Sequence, residues 1–233
     1  MSLWIRDPLD ILADDAARGV VVADGAIVEC VPAGAEPKNG YDAVFDASQH
    51  VVLPGLVNTH HHFYQTLTRA LKPALDAEVF PWLSVMYPVW SHMTADDLRL
   101  AARLALCELL ISGCSTTVDH HYVFPPGLDH AIDIVAEEAR ALGIRMLLTR
   151  GSMDLSVDDG GLPPASVVQS VDTILADSER LVAAWHDTAA DAMARIALAP
   201  CSPFSVSPEL MRESADMAKR HGLGLHTHLA AHV

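Results

Sequence analysis

Three times along this chain an amphipathic stretch stops at a glycine and a short apolar run begins at once: Gly113 before Cys114–Asp119, Gly143 before Ile144–Thr149, Gly222 before Leu223–His228. Glycine there is the left-handed cap that turns a helix directly into a strand. The first of these helices starts at Thr94, a good N-cap, with Asp96 and Asp97 at the positive end of the dipole. It sets Leu98, Ala101, Ala102, Ala105, Leu106 and Leu109 in one stripe. Further helices are expected over Leu128–Leu142, over about Ser166–His186 ahead of a strand Ile196–Ala199, and from Ser207 with Pro208 at the first position. With the apolar run Val51–Val57 in front, five strands alternate with helices. Strands linked in this way pair in parallel through right-handed crossovers, so the fold class is α/β. No glycine-rich phosphate loop follows any strand, which disfavours a nucleotide-binding doubly wound sheet. In a (β/α)8 barrel the chemistry sits at the C-terminal strand ends, and the unusual residues of this chain lie there.

The first fifty residues read differently, as short strands and tight turns. Gly19–Val22 and Ala26–Val31 flank Asp24-Gly25, a hairpin signal, and Ala43–Asp46 and His50–Leu53 look like two more strands. The expected organisation is a small β subdomain over residues 1–53, part of a composite β domain, followed by a barrel domain over residues 54–233 that holds the first five βα units.

With 30 acidic residues against 15 Lys and Arg, a net charge of −15, the chain cannot neutralise phosphates as a nucleic-acid binder does. Its apolar runs are far shorter than the roughly 18–20 residues a spanning helix needs, so no membrane partner is expected. Four cysteines, Cys30, Cys107, Cys114 and Cys201, lie far apart without a CxxC pair, which suggests a reducing, cytoplasmic setting.

Chemistry concentrates in histidine. His60 and His62, at the end of the first apolar run, point the same way on an extended chain, about 6.6 Å apart along the backbone. His61 points away. His226-Thr227-His228 repeats the spacing at the end of a later strand, so up to four imidazoles share one rim. One HxH is also read as a polar strand end; two make a metal site the economical reading. Three nitrogen ligands and an open position would let a divalent metal lower the pKa of a bound water toward neutrality.

The run Leu53-Pro54-Gly55-Leu56-Val57-Asn58-Thr59-His60-His61-His62 resembles the strand-1 signature of the amidohydrolase superfamily, in its branch acting on purines, pterins and s-triazines. His61 through Arg69, with Asp119-His120-His121-Tyr122, Arg150-Gly151-Ser152-Met153 and Ala199-Pro200-Cys201-Ser202-Pro203-Phe204-Ser205, is similar to the 8-oxoguanine deaminase group, near the hydroxydechloroatrazine ethylaminohydrolases. The similarity runs from about Gly19 to His228. It implies an amidohydrolase-type TIM barrel present through about strand 5, and a cofactor of one divalent ion, zinc or iron, held by His60, His62 and His228. It also implies a small heterocyclic substrate and hydrolytic deamination, 8-oxoguanine to urate and ammonia foremost, with another amino-purine, a pterin or an s-triazine as the alternative.

The family's further ligands, a histidine on strand 6 and an aspartate on strand 8, have no recognisable strand here. Its proton-shuttling glutamate, three residues past the strand-5 ligand, falls at Ala231. On that ground the reading from another class is an inactive partial barrel. The ending Ala231-His232-Val233 is read either as a remnant of strand 6 or as an arbitrary terminus. A homo-oligomer is an expectation from the barrel edges left exposed.

Gln65, His120, Arg150 and Cys201 are the candidate substrate contacts. Each has a plainer reading: a solvated glutamine, one of two alternating histidines of which a single one can face the pocket, a structural ion pair, and a packed thiol. Trp82, Tyr87 and Trp90 are read as an aromatic roof or as core.

Overall fold

The computed structural model describes residues 1–229; Ala231 and the Ala231-His232-Val233 ending lie outside the described residues. The chain divides into two compact units. One is Met1–Leu56 with Ala189–Asp191; the other starts at Val57 and takes in the rest.

In the first unit β1 (Ser2–Arg6) pairs antiparallel with β3 (Gly19–Ala23) and parallel with β5 (Ala43–Asp46); β3 pairs antiparallel with β4 (Ala26–Cys30). β2 (Asp10–Ile11) pairs with β6 (Val51–Val52). Asp24 and Gly25 both adopt positive φ, 50° and 81°, as the hairpin reading requires. β1 has no counterpart in the sequence reading. Its central Trp4 is buried with Val21 and Val31 in a small core, and Trp4 Nε1 donates to the Arg18 carbonyl at 3.0 Å.

The second unit is half of a barrel. β7 (Leu56–Asn58), β8 (Cys114–His121), β9 (Arg145–Ser152), β10 (Ala194–Pro200) and β11 (Gly224–Leu225) lie side by side in chain order, with β8 to β11 paired in parallel. Register aligns their C-terminal ends: His121 stands opposite Arg150, and Arg150 opposite Leu198, which stands opposite Leu225.

The intervening helices are α1 (Val79–Trp90), α2 (Ala95–Ile111), α3 (Ala131–Leu142), α4 (Val171–Trp185) and α5 (Pro208–His221). α2 begins in a full capping box between Thr94 and Asp97, and the expected stripe from Leu98 to Leu106 is buried. α3 and α5 end at left-handed Gly143 and Gly222. α4 starts later than expected, because the Ser170 side chain caps the Thr173 N–H.

α1 was not legible, since Pro81 and Pro88 interrupt its pattern. Pro81 is tolerated because it occupies the first turn, where N–H groups lack partners anyway, whereas Pro88 lies inside the helix and removes one main-chain hydrogen bond near its C-terminal end. β11 is shorter than the expected Leu223–His228, yet the chain stays on β10 beyond it: His226 N donates to Leu198 O at 2.9 Å and His228 N to Cys201 O at 3.0 Å.

Candidate metal centre

The triple histidine sits just past β7 and is zipped onto the end of β8. His120 N donates to His61 O at 2.7 Å, His62 Nδ1 bonds His120 O at 2.6 Å, and Phe63 N donates to a carboxylate oxygen of Asp119 at 2.8 Å. Burial pushes the Asp119 carboxyl up to about 7. These contacts hold His60 and His62 inward although the strand has already ended, with ring centroids 4.7 Å apart. From the other edge the His226–His228 extension brings its two imidazoles to the same place.

A carbonyl oxygen can only accept, so the Nδ1 atoms of His62 and His228, at 2.6 Å from His120 O and 2.8 Å from Cys201 O, must be the protonated ones. Their Nε2 atoms therefore carry lone pairs, and both face His60 Nε2, at 3.1 and 3.3 Å. Tetrahedral zinc with bonds of 2.0–2.1 Å has ligand-to-ligand edges of about 3.3–3.4 Å, so the two contacts at His60 Nε2 are close to the spacing of neighbouring donors on one ion. Burial presses His62 down to about 3 and lowers His60 and His226, aided by their mutual proximity. These shifts favour the neutral imidazole in His60, His62 and His226, the form that binds metal.

Together His60, His62, His120 and His228 place four ligand atoms within 4.8 Å of one another, a group able to hold a metal ion. His120 is fully buried, its Nε2 3.3 Å from Ala199 O, and its ring lies nearly parallel to that of His228. It belongs to this cluster and is not among the residues lining the adjoining cavity. His121, next along the strand, points away and bonds Val123 O at 2.8 Å, as alternation requires.

Beside the cluster lies a cavity of about 150 Å³ whose wall includes His62 and His228. Two more candidate residues reach it: Gln65, from a short 3-10 segment Phe63–Thr68, and Cys201, just past β10. Trp82, Tyr87, Tyr122, Phe80 and Phe204 supply aromatic walls, and Ser202 and Ser205 supply hydroxyls. Burial raises the Tyr87 and Tyr122 phenols far above their ordinary range and pushes the Cys201 thiol up to about 12, so all stay protonated. Trp90 packs in the core, its Nε1 donating to Thr68 Oγ1 at 3.1 Å.

Arg150 does not reach this cavity. Its guanidinium donates to Asp177 and Gln169, each at 2.7 Å, and to Gly151 O, and lies over the Phe124 ring. A side chain so engaged is a structural ion pair, the plainer of the two sequence readings. The sequence reading did not anticipate Phe80, Phe204, Ser202 and Ser205 as cavity walls. The last three stand in the run after β10, whose strand-end position was the available signal.

The chain matches the amidohydrolase family over residues 51–232. It is 59% identical over 230 residues to the 8-oxoguanine deaminase of Pseudomonas aeruginosa, covering 97% of this chain and 51% of that protein. It is 35% identical over 221 residues to the hydroxydechloroatrazine ethylaminohydrolase of Pseudomonas sp. strain ADP, covering 90% and 46%. The chain thus spans about half the length of the curated relatives it matches. Among solved structures, the atrazine chlorohydrolase of Arthrobacter aurescens TC1 complexed with zinc superposes with a TM-score of 0.88 at 29% identity, over 98% of this chain and 53% of that one. Strand order, strand-end histidines and these likenesses agree: the chain belongs to the amidohydrolase family.

Proposed function

We propose that this chain supplies the metal-binding strands of a hydrolytic aminohydrolase, with His60, His62 and His228 holding one zinc or iron ion through Nε2. The observation that carries this reading is the convergence of the lone-pair Nε2 atoms of His62 and His228 on His60 Nε2, at 3.1 and 3.3 Å, close to the edge of a zinc tetrahedron. When bound, the metal supplies Lewis acidity and a water acidified to near-neutral pKa. The chain's own groups do the rest. Aromatic walls exclude bulk water and take a flat ring; the Gln65 amide and the Ser202 and Ser205 hydroxyls offer hydrogen bonds to its polar edge.

The proposed reaction is hydrolysis at a ring carbon bearing an exocyclic amine: water adds, the C–N bond breaks, and ammonia leaves. The likeness to 8-oxoguanine deaminase favours 8-oxoguanine plus water giving urate plus ammonia. The second reading, an s-triazine substituent, is supported by the triazine-related likenesses.

Isothermal titration with zinc, followed by ammonia release from 8-oxoguanine, tests the reading. One ion per chain is expected, lost in His62→Ala, with turnover restored by Ala231→Glu where Ala231 limits proton transfer. Zinc binding that survives His62→Ala overturns the site; ethylamine release from a triazine with no ammonia from 8-oxoguanine overturns the substrate.

A cytoplasmic setting is part of this proposal, supported by four free cysteines; among the described residues no helix is long and apolar enough to cross a membrane. Homo-oligomerisation is supported by exposed Leu100, Leu104 and Ile111 on α2. Sedimentation as a monomer at micromolar concentration refutes it.

A further inference from the structure

Each of the three converging imidazoles needs its Nδ1–H held if Nε2 is to face the metal, and the three are not held alike. His62 and His228 donate to main-chain carbonyls, which no side-chain substitution removes. His60 has no such carbonyl among the described residues: its Nδ1 lies 2.9 Å from Nε2 of His226. The two ring planes differ by 11° and the centroids stand 5.1 Å apart. Parallel planes with centroids that far apart and facing nitrogens that close describe rings joined edge to edge in line, a hydrogen bond rather than a face-to-face stack.

We propose that His226 is a positioning residue for the metal centre: its Nε2 accepts the His60 Nδ1–H and so fixes His60 in the tautomer that turns Nε2 toward the ion. The inference rests on the metal reading given above and deepens it. Donors and acceptors can be counted around the ring of contacts. Nε2 of His62 and of His228 are lone pairs, and a cation between them and His60 demands a lone pair on His60 Nε2 also. The only proton on a neutral His60 is then on Nδ1, so it is the donor, and His226 must present an unprotonated Nε2. The backbone keeps His226 in place for this contact, since its N–H is anchored on Leu198 O at 2.9 Å, just beyond the last strand pairing of β11 with β10. The i, i+2 histidine pair thus divides its labour, with His228 facing the ion and His226 standing behind a ligand that comes from the opposite edge of the sheet. Outer partners of this kind orient ligating imidazoles and raise their basicity, and their loss typically costs 10–100-fold in metal affinity.

Two measurements on the 233-residue chain test it. Zinc competition against a chromophoric chelator compares wild type with His226→Leu, His226→Gln and His62→Ala, each checked for folding by its metal-free thermal melt. Expected are a roughly 10–100-fold weaker affinity in His226→Leu with an unchanged metal-free melt, recovery toward wild type in His226→Gln, whose side-chain oxygen accepts, and no binding in His62→Ala. Wild-type affinity in His226→Leu, or a loss that His226→Gln does not relieve, overturns the role of His226 and leaves the metal reading standing. Wild-type zinc binding in His62→Ala overturns the metal reading. The second measurement reads the tautomer rather than the affinity: 15N correlation spectra of the zinc-loaded wild type should show His60 bound through Nε2 with its proton on Nδ1, and that Nδ1–H should exchange faster with water in His226→Leu than in the wild type. His60 found bound through Nδ1, with its proton on Nε2, in the zinc-loaded wild type overturns the inference directly.

Discussion

Replacing Arg150 by methionine separates a fold-holding guanidinium from a substrate-binding one. The side chain is 0% exposed and makes three kinds of bond: to Asp177 at 2.7 Å, to Gln169 at 2.7 Å, and to Gly151 O. Its guanidinium carbon also lies 4.0 Å from the centroid of the Phe124 ring. Stripping one partner from a buried pair costs about 3–5 kcal/mol when the other charge is left alone. Asp177 is not left alone, because Arg180 still reaches it at 2.8 Å. Methionine also keeps much of the packing on Phe124. The cost therefore sits at the lower end, about 3 kcal/mol, drawn mainly from Gln169 and Gly151 O losing their donors. For a protein of this size each kcal/mol moves Tm by about 2–4 °C, so Arg150→Met should melt roughly 6–12 °C lower. Urea and thermal unfolding followed by circular dichroism measure the loss, and zinc affinity should stay within about twofold. An unchanged unfolding midpoint combined with tenfold weaker binding of a heterocyclic inhibitor refutes the reasoning and returns Arg150 to the pocket.

The Glu138 carboxylate, 3% exposed, receives Arg103 at 2.6 and 3.0 Å and Arg99 at 3.0 Å, and these bonds, Arg103 first, hold its pKa below the ordinary 4.5 against its burial. A depressed acid contributes stability above its unfolded pKa and loses it as pH falls through the folded value. Glu138→Gln should therefore cost about 1–2 kcal/mol at pH 7, discounted because both arginines are largely exposed, and the gap should close below about pH 4.5 in pH-stepped urea melts; a constant gap contradicts the pairing. For the thiols, a disulfide reagent at about pH 8 should label exposed Cys30 promptly and reach Cys201, raised to about 12 and 5% exposed, only on unfolding. Rapid native labelling of Cys201 refutes its enclosure.

The glycine-to-strand junctions predicted the alternation, the strand order and the parallel pairing because each rests on local backbone chemistry that a sequence states outright. The i, i+2 histidines were legible for the same reason: a two-residue period fixes which side chains share a face whatever the rest of the fold does. What stayed hidden depends on partners distant in sequence. β1 is defined by its pairing with β3 and β5, both remote from it along the chain. α1 violates helix propensity at two prolines and is held by burial of Met86, Tyr87 and Trp90. Arg150 and His120 stand at strand ends, where a substrate contact, an ion pair and a metal-site neighbour look identical in sequence. Only their contacts with Asp177 and His228, both remote along the chain, decide between them.

Gly151 shows how the same stretch of sequence carries a second, less visible constraint. It follows Arg150 in a segment whose charge draws attention, yet its contribution is the side chain it lacks. A Cβ there would stand 2.1 Å from the carbonyl oxygen of His121 and 2.7 Å from both its carbon and the Cβ of Tyr122. Real Cβ contacts essentially never fall below 3.0 Å, so the end of β8 would have to retreat by roughly 1 Å. That end is not free to move without consequence: the neighbouring His120 carbonyl holds His62 Nδ1, and the Tyr122 ring packs 5.4 Å from that of His62. Gly151→Ala should then do two things at once. It should destabilise the fold by about 1–3 kcal/mol, as overpacking does, and it should weaken zinc binding at least about tenfold by loosening the carbonyl that fixes the His62 tautomer. Thermal melts and zinc titration on the same preparation read both effects. A variant that loses stability but keeps wild-type zinc affinity shows that the β8 end and the metal centre are mechanically independent, and the account of how the strand end aims His62 fails with it.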